Sequence, residues 1–248
     1  MMKMMYSKNK KGAIIFCAIL LCFVLVSIPI FTNLIKQQKI DDEIKQLTNL
    51  EDIKNEQGLQ SLVNINSDCA GWINIKDVNV SLPIVFSNNQ SDDFYLSHDF
   101  KKQPSILGVP YLTKNSTLKT DNIVIVGHSA YYSSDNKNNV IFGNLKNYLT
   151  PDNLYDFKIE LQTLQSNIEY NIFTAFTFSS TDYGKASKIF NTNTLQTEQQ
   201  LQEFKYLICD LSNDNNIELN IGDKFLTLYT CDKDNQNQRI MIIAKQSI

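Results

Sequence analysis

The first quarter of the chain is patterned for helices. An uncharged apolar run, GAIIFCAILLCFVLVSIPIFTNLI, covers residues 12–35, and at about 1.5 Å per residue it is long enough to cross a hydrocarbon core of about 30 Å. Lysines precede the run and the acidic stretch DDE follows it. We therefore predict a transmembrane helix at 12–35, with residues 1–11 in the cytoplasm and the rest of the chain outside the cell. A cleaved signal peptide is the alternative, but its apolar region of about 7 to 15 residues is shorter.

After this run, apolar residues recur at spacings of three and four. This period predicts an amphipathic helix within a helical extension over residues 36–66. The sequence leaves open whether this helix packs on the following domain or is a plain stalk. The apolar positions are Ile40, Ile44, Leu47, Leu50 and Ile53.

Residues 67–248 show a third pattern, in which short runs rich in Val, Ile, Phe, Tyr and Thr are separated by Asn, Asp, Gly and Ser. Seven or eight such runs predict a mainly β domain, either a barrel or a sandwich. Helical features interrupt them near residues 139–149 and 197–212, where Thr197 followed by Gln200 is the pattern of a capping box. The strand-like runs are WINIKDVNVSLPIVF, SILGVPYL, NIVIVGHS, KIELQTLQ, IEYNIFTAFTF, KFLTLYTC and RIMIIAKQ.

The composition argues against several classes of function. The formal net charge is -3 and the lysines are scattered, so nucleic acid is not an expected partner. With two histidines and no CxxC spacing, we predict neither a metal site nor a cofactor. Three cysteines, Cys69, Cys209 and Cys231, lie beyond the apolar run. A bond between Cys69 and Cys209 is possible but not indicated, and in any pairing at least one of the three thiols stays free.

Two potentially reactive side chains lie at the ends of predicted strands. Cys231 precedes the polar loop DKDNQNQ, and His128 follows the run NIVIV, a position where rigid scaffolds present functional groups. A thiol needs a base or a cation beside it to act as a nucleophile, and His128 is the candidate. Arg239, the sole arginine, begins the run after this loop. Its planar, permanently charged fork suits a developing oxyanion.

Each of these residues also has an ordinary structural interpretation, as a buried thiol, a surface histidine or a surface charge. His98 is a weaker candidate for the base, and packing in a loop explains it equally well. Asp232 or Asp234 could orient His128 as the third member of a triad, although a solvated loop charge is the simpler interpretation.

The motifs around these residues resemble those of the sortase family. TLYTC at 227–231 is similar to the TLxTC signature of sortases, and VGHS is similar to their catalytic-histidine strand. Class B fits best, because the FGxLxxY pattern in IFGNLKNY, a helical extension before the domain and a helix-containing insertion at about 191–215 are typical of it. DDFYLSHDFKKQPSILGVPYL also resembles the class B segment before the histidine strand. The resemblance covers roughly residues 40–248. Ser129 departs from it where asparagine is common, and SILGVPYL lacks the acidic residue that often follows.

This resemblance implies a membrane-anchored cysteine transpeptidase of Gram-positive bacteria. The implied fold is a closed sortase-type β-barrel of about eight strands over residues 67–248, with N-terminal helices and a helix inserted before the cysteine strand. The implied catalytic residues are His128, Cys231 and Arg239. The implied partners are secreted proteins with a Pro-x-Thr-type sorting motif and a peptidoglycan precursor amine.

Two other functions and a rival role within the family are also considered. A cysteine peptidase outside the cell would use the same Cys231 and His128 with water in place of the amine. A non-catalytic surface-binding module would need neither residue. Within the family, we expect an anchoring role rather than pilus polymerisation. Polymerising sortases usually carry a lid segment before the barrel and a second hydrophobic span after it, and this chain ends at Ile248 directly after its last predicted strand.

Overall fold

Helix α1 runs from Met2 to Gln57 in the computed structural model, which describes residues 2–87, 90–131, 139–150 and 154–247. The apolar run and the amphipathic stretch that follows it belong to this one helix, which contains Pro29. By length and composition, its portion Leu20–Gln57 could cross a membrane. The boundaries predicted for the cytoplasmic, transmembrane and helical segments stay predictions.

The chain forms two compact units, Met1–Asp42 and Glu43–Ile248. In the second unit, α1 ends at Gln57 where Gly58 adopts φ 81°, and helix α2 follows at Leu59–Ile65. Leu50 is buried together with Trp72 and Tyr95 of the following domain, and Leu47 and Ile53 pack against the same cluster. This part of the extension is therefore packed on the domain and is not a plain stalk.

Eight strands close into a barrel. They are β1 Cys69–Ile75, β2 Val80–Val85, β3 Tyr111–Leu112, β4 Asn122–Val126, β7 Lys158–Gln162, β8 Asn167–Ser179, β9 Phe225–Cys231 and β10 Gln238–Gln246. Their order around the barrel is β1-β2-β3-β4-β9-β10-β8-β7, and this closure excludes the sandwich alternative and confirms the mainly β prediction. β2 pairs with β3, and β4 with β9, in parallel, and the other pairs in the barrel are antiparallel. A separate two-stranded sheet joins β5 (Ser129–Tyr131) to β6 (Asn139–Ile141).

Two helices between β8 and β9 cover one face of the barrel. Helix α3 (Tyr183–Asn191) and helix α4 (Glu198–Ser212) form a buried cluster with Phe225 of β9 and Met241 of β10. The predicted helix and its capping box are confirmed in α4, where the Thr197 hydroxyl accepts from the Gln200 amide and the Gln200 side chain accepts in return. Helix α3 was not predicted: it is only nine residues long and contains Gly184, a poor helix former.

Two predicted elements differ in the structure. Only Tyr111 and Leu112 of the run SILGVPYL form a strand, because the amides of Ile106 and Leu107 donate to the Glu43 carboxylate and the chain turns at Gly108 with φ 64°. The stretch predicted as helical at 139–149 begins as strand β6 and continues as a 3-10 helix at Gly143–Leu149.

Candidate active site

Three adjacent strands bring the predicted site residues into one row. Arg239 of β10 is the direct partner of Cys231 on β9. On the other side of β9, Val126 of β4 pairs in parallel with Tyr229, and the pairing continues because the Gly127 amide donates to the Tyr229 carbonyl at 3.2 Å. Continued by two residues, this register places His128 opposite Cys231. Neighbouring strands lie about 4.8 Å apart and side chains repeat with period two, so Cys231 lies between the other two on one face.

The row opens into a cleft of about 480 Å³. His128, Cys231 and Arg239 all line it, so the structure brings the three predicted residues together. Cys231 is exposed. Aromatic side chains form much of the remaining wall, and charged groups lie at its edge. The aromatic residues are Tyr111, Tyr183, Phe190 and Tyr229, and the charged ones Asp92, Asp93 and Lys114.

A main-chain carbonyl holds the His128 ring. Its Nε2 atom lies 2.8 Å from the Leu96 carbonyl oxygen, at the end of a short 3-10 helix, Phe94–Leu96. Because a carbonyl oxygen only accepts, Nε2 carries a proton in this contact. Nδ1 is then the ring nitrogen left to exchange a proton with a reactant.

Loop carbonyls hold the Arg239 guanidinium. Its Nη1 donates to the carbonyl oxygens of Gln236 and Gln238, each at 2.9 Å. Arg239 is also a neighbour of the Tyr229 hydroxyl: burial raises the pKa of Tyr229, and the Arg239 charge acts against that rise. These contacts fix a permanent positive charge at the Cys231 edge of the cleft.

Comparisons with known proteins show the family to which the chain belongs. A family model described as a sortase domain matches residues 73–247, a range that includes the whole row. The chain belongs to the sortase family. Sortase B of Listeria monocytogenes is 28% identical to this sortase over 192 residues, covering 75% of this chain and 73% of the relative. Sortase B of Staphylococcus aureus is 23% identical over 191 residues, with the same coverage of both.

Solved structures show the same fold. Sortase B from B. anthracis in complex with AAEK1 has a TM-score of 0.68 at 20% identity, covering 84% of this chain and 98% of the other. A Staphylococcus aureus sortase B–substrate complex has a TM-score of 0.63 at 23% identity, covering 85% and 92%. The predicted class B family, the closed barrel and the enzyme class are confirmed, and this sortase is a cysteine transpeptidase.

The weaker candidates predicted from the sequence make other contacts in this sortase. They are His98, Asp232 and Asp234. The His98 ring stacks on Phe94 with 3.8 Å between centroids, and its Nδ1 is 2.8 Å from the Phe94 carbonyl oxygen, so it packs a loop. Asp234 forms an ion pair with Lys146 at 2.7 Å, and Asp232 accepts from the Asp234 amide. The described contacts of these two carboxylates thus lead away from His128.

The thiols of this sortase differ in exposure. All five cysteines are free, so Cys69 and Cys209 are not bonded. Burial raises the pKa of Cys69 to about 11 and also raises that of the half-buried Cys209. Cys231 is the exposed thiol of the barrel domain, and exposure is what a nucleophile needs.

Two residues beside the row, Tyr229 and Leu96, were not predicted from the sequence to belong to the site. Tyr229 contacts Phe190 at 4.7 Å between ring centroids and lines the cleft. Its place two residues before Cys231 on one strand was a usable signal, because such residues share a face. The role of Leu96 could not be predicted from the sequence, because Leu96 contacts His128 through its main-chain carbonyl oxygen and not through its side chain.

Proposed function

We propose that this sortase cleaves a C-terminal sorting signal of secreted proteins after a threonine and joins the new end to a peptidoglycan precursor amine. The observation that carries the proposal is the row itself, in which Cys231 lies between His128 and Arg239 at the floor of one cleft. We assign these three residues the catalytic roles. The motif is of the Pro-x-Thr type, and the aromatic wall of the cleft offers apolar surface for its proline.

The first half-reaction forms a thioester. The Cys231 thiol gives its proton to Nδ1 of His128 as its sulfur attacks the threonine carbonyl carbon. The carbonyl oxygen gains negative charge, which Arg239 meets with fixed N–H donors. The C–N bond of the signal then breaks. His128 gives a proton to the departing amine, which leaves with the tail of the signal, and the threonine stays bound to sulfur.

The second half-reaction releases the enzyme. The amine of a peptidoglycan precursor attacks the thioester carbonyl and loses a proton to His128, and the C–S bond breaks. An amide forms, the departing sulfur takes the proton from Nδ1 of His128, and Cys231 and His128 return to their starting state. Water in place of the amine would give a peptidase, so the identity of the second nucleophile decides the class of reaction.

Helix α1 supplies the membrane anchor in this proposal. Phe16, Leu25 and Phe31 of the apolar run are all more than half exposed, as expected of side chains that face lipid. The lysines before the run orient residues 1–11 to the cytoplasm. The catalytic unit is then outside the cell, where sorting signals of secreted proteins and wall precursors are both present.

Intact mass spectrometry tests the proposal directly. The full chain is mixed with a panel of Pro-x-Thr peptides, with and without triglycine or a diaminopimelate-type amine. We expect a peptide adduct on the wild type that Cys231→Ala lacks and that amine converts to an amide product. Cys209→Ala, which removes a half-buried thiol, is the matched control and should form the adduct. Arg239→Lys should slow adduct formation roughly 10²- to 10³-fold.

Two results would contradict the proposal. Hydrolysed peptide that does not depend on amine would indicate a peptidase. A full panel without any adduct, with peptide binding that Cys231→Ala leaves unchanged, would indicate a surface-binding module.

A further inference from the structure

Glu43 of helix α1 has a buried carboxylate that binds a turn of the barrel domain. The residue is 8% exposed. Its Oε2 accepts from the Ser105 hydroxyl at 2.7 Å and from the Leu107 amide at 2.8 Å, and its Oε1 accepts from the Ile106 amide at 2.9 Å. Hydrogen bonds to a charged acceptor are stronger than neutral ones, and losing a buried acceptor leaves its donors unsatisfied. The carboxylate therefore fixes the position of residues 105–107.

This turn is hydrogen-bonded to the segment that carries Leu96 and packs closely against it. The Ser105 amide donates to the Ser97 carbonyl at 2.8 Å, and the Val109 amide donates to the Tyr95 carbonyl at 2.9 Å. At Gly108 the two backbones are so close that an added Cβ would lie 2.9 Å from the Leu96 carbonyl oxygen. A shift of the turn therefore moves the Leu96 carbonyl.

The Leu96 carbonyl is the group that holds the His128 ring, at 2.8 Å from Nε2. We infer that Glu43 is a positioning residue for His128, acting through the turn at 105–108 and the Leu96 carbonyl. The inference rests on the proposed role of His128, and it links the N-terminal helix to proton transfer in the cleft. Without Glu43, the His128 ring loses its fixed orientation, and its proton is no longer held on Nε2. Misplacing a catalytic group slows the chemical step.

Glu43→Gln is the decisive variant. It keeps the size of the side chain but replaces one of the two acceptor oxygens by an NH2 donor. That donor would face at least one backbone N–H group, so at least one contact is lost. The neighbouring segment keeps a second anchor, because the Tyr95 hydroxyl is bonded to both Asn66 and Asp68. We therefore expect a folded variant.

Glu51→Gln is the matched control. Glu51 lies on the same helix and accepts from the Ser81 hydroxyl at 2.6 Å, so its substitution also disturbs a contact between helix and barrel. Its partner belongs to β2 rather than to the turn at 105–108. A general loss of helix docking would affect both variants, whereas the inference predicts an effect on Glu43→Gln alone.

Two measurements separate positioning from mere stability. In the thioester assay, we expect kcat of Glu43→Gln to fall about tenfold or more with KM nearly unchanged. In nitrogen NMR of the imidazoles, at a pH where the rings are neutral, we expect wild type to show His128 with the proton on Nε2 and Glu43→Gln to show a mixture of tautomers. The chain has two histidines, so His98→Gln assigns the spectrum.

The inference is overturned if His128 signals and kcat of Glu43→Gln match the wild type, or if Glu51→Gln loses as much kcat. Should Glu43→Gln be too unstable to measure, Ser105→Ala removes the hydroxyl that donates to Glu43 and accepts from the Leu107 and Gly108 amides. The same two readouts then decide whether the turn at 105–108 positions His128. The NMR result does not depend on turnover. A wild type that forms no adduct would therefore contradict the proposed function without deciding the role of Glu43.

Discussion

Gly127 precedes the proposed base, and the space around it has no room for a side chain. A Cβ at this position would lie 2.8 Å from Cδ2 and 3.0 Å from Cε2 of Phe142, and 3.1 Å from Cγ2 of Ile141. The Phe142 ring is fully buried, and its amide donates to the His128 carbonyl at 2.9 Å. The ring is therefore unable to move away without disturbing the residue that it supports.

We expect Gly127→Ala to destabilise the barrel domain. Overpacking of this kind costs about 1 to 3 kcal/mol, and for a domain of about 200 residues each kcal/mol lowers Tm by about 2 to 4 °C. The predicted loss is thus about 2 to 12 °C in Tm by calorimetry. We also expect a lower kcat, because the displaced Phe142 is bonded to His128.

Gly184→Ala is the control for this prediction. An added Cβ at Gly184, in helix α3, has nothing within 4 Å, so we expect no loss of Tm and, from helix propensity, a small gain. The reasoning is refuted if Gly127→Ala melts within about 1 °C of the wild type. Combining it with Phe142→Leu should cost less than the sum of the two changes, because both act on the same space.

Two further predictions concern an ion pair and the thiols. Burial alone would raise the pKa of Asp121, but the Lys224 ammonium and the Leu195 amide lower it more, so the net shift is downward. The ionised Asp121 therefore stabilises the fold above its unfolded pKa near 3.9, and this contribution is lost as pH falls through the folded value. Asp121→Asn should be less stable at neutral pH and lose less stability on acidification in urea unfolding; parallel pH profiles would contradict this. Iodoacetamide should modify Cys231 well before the buried Cys69 in peptide mass mapping, and equal rates would refute the burial argument.

The sequence was sufficient to predict those structural features whose contacts are local or follow a regular period. The capping box of α4 could be predicted because Thr197 and Gln200 satisfy each other within one turn of helix. The pairing of Arg239 with Cys231 could be predicted because a short polar loop joins two apolar runs. The number and spacing of such runs predicted a barrel or a sandwich, and the resemblance to sortases implied a closed barrel of about eight strands.

Tertiary contacts account for what the sequence did not indicate. Glu43 belongs to the acidic stretch DDE, and the sequence does not distinguish it from a solvated charge. Its role depends on the contact with residues 105–107, which exists only in the folded structure. Leu96 acts through its backbone, which every residue shares. The run SILGVPYL has strand-like composition, but its amides are bonded to the Glu43 side chain and are not available to a sheet.

The row across β4, β9 and β10 also determines when during folding the site becomes complete. Cys231 and Arg239 belong to one hairpin, which forms from local contacts. The histidine side depends on the parallel pairing of β4 with β9, where Gly127 and Thr230 are 103 residues apart in sequence. Long-range parallel pairing is intrinsically slow, so a folding chain brings its thiol and its guanidinium together before His128 joins them. On refolding from denaturant, recovery of transpeptidation should therefore coincide with barrel closure and lag behind formation of the hairpin, so that thioester chemistry starts only once the barrel is complete.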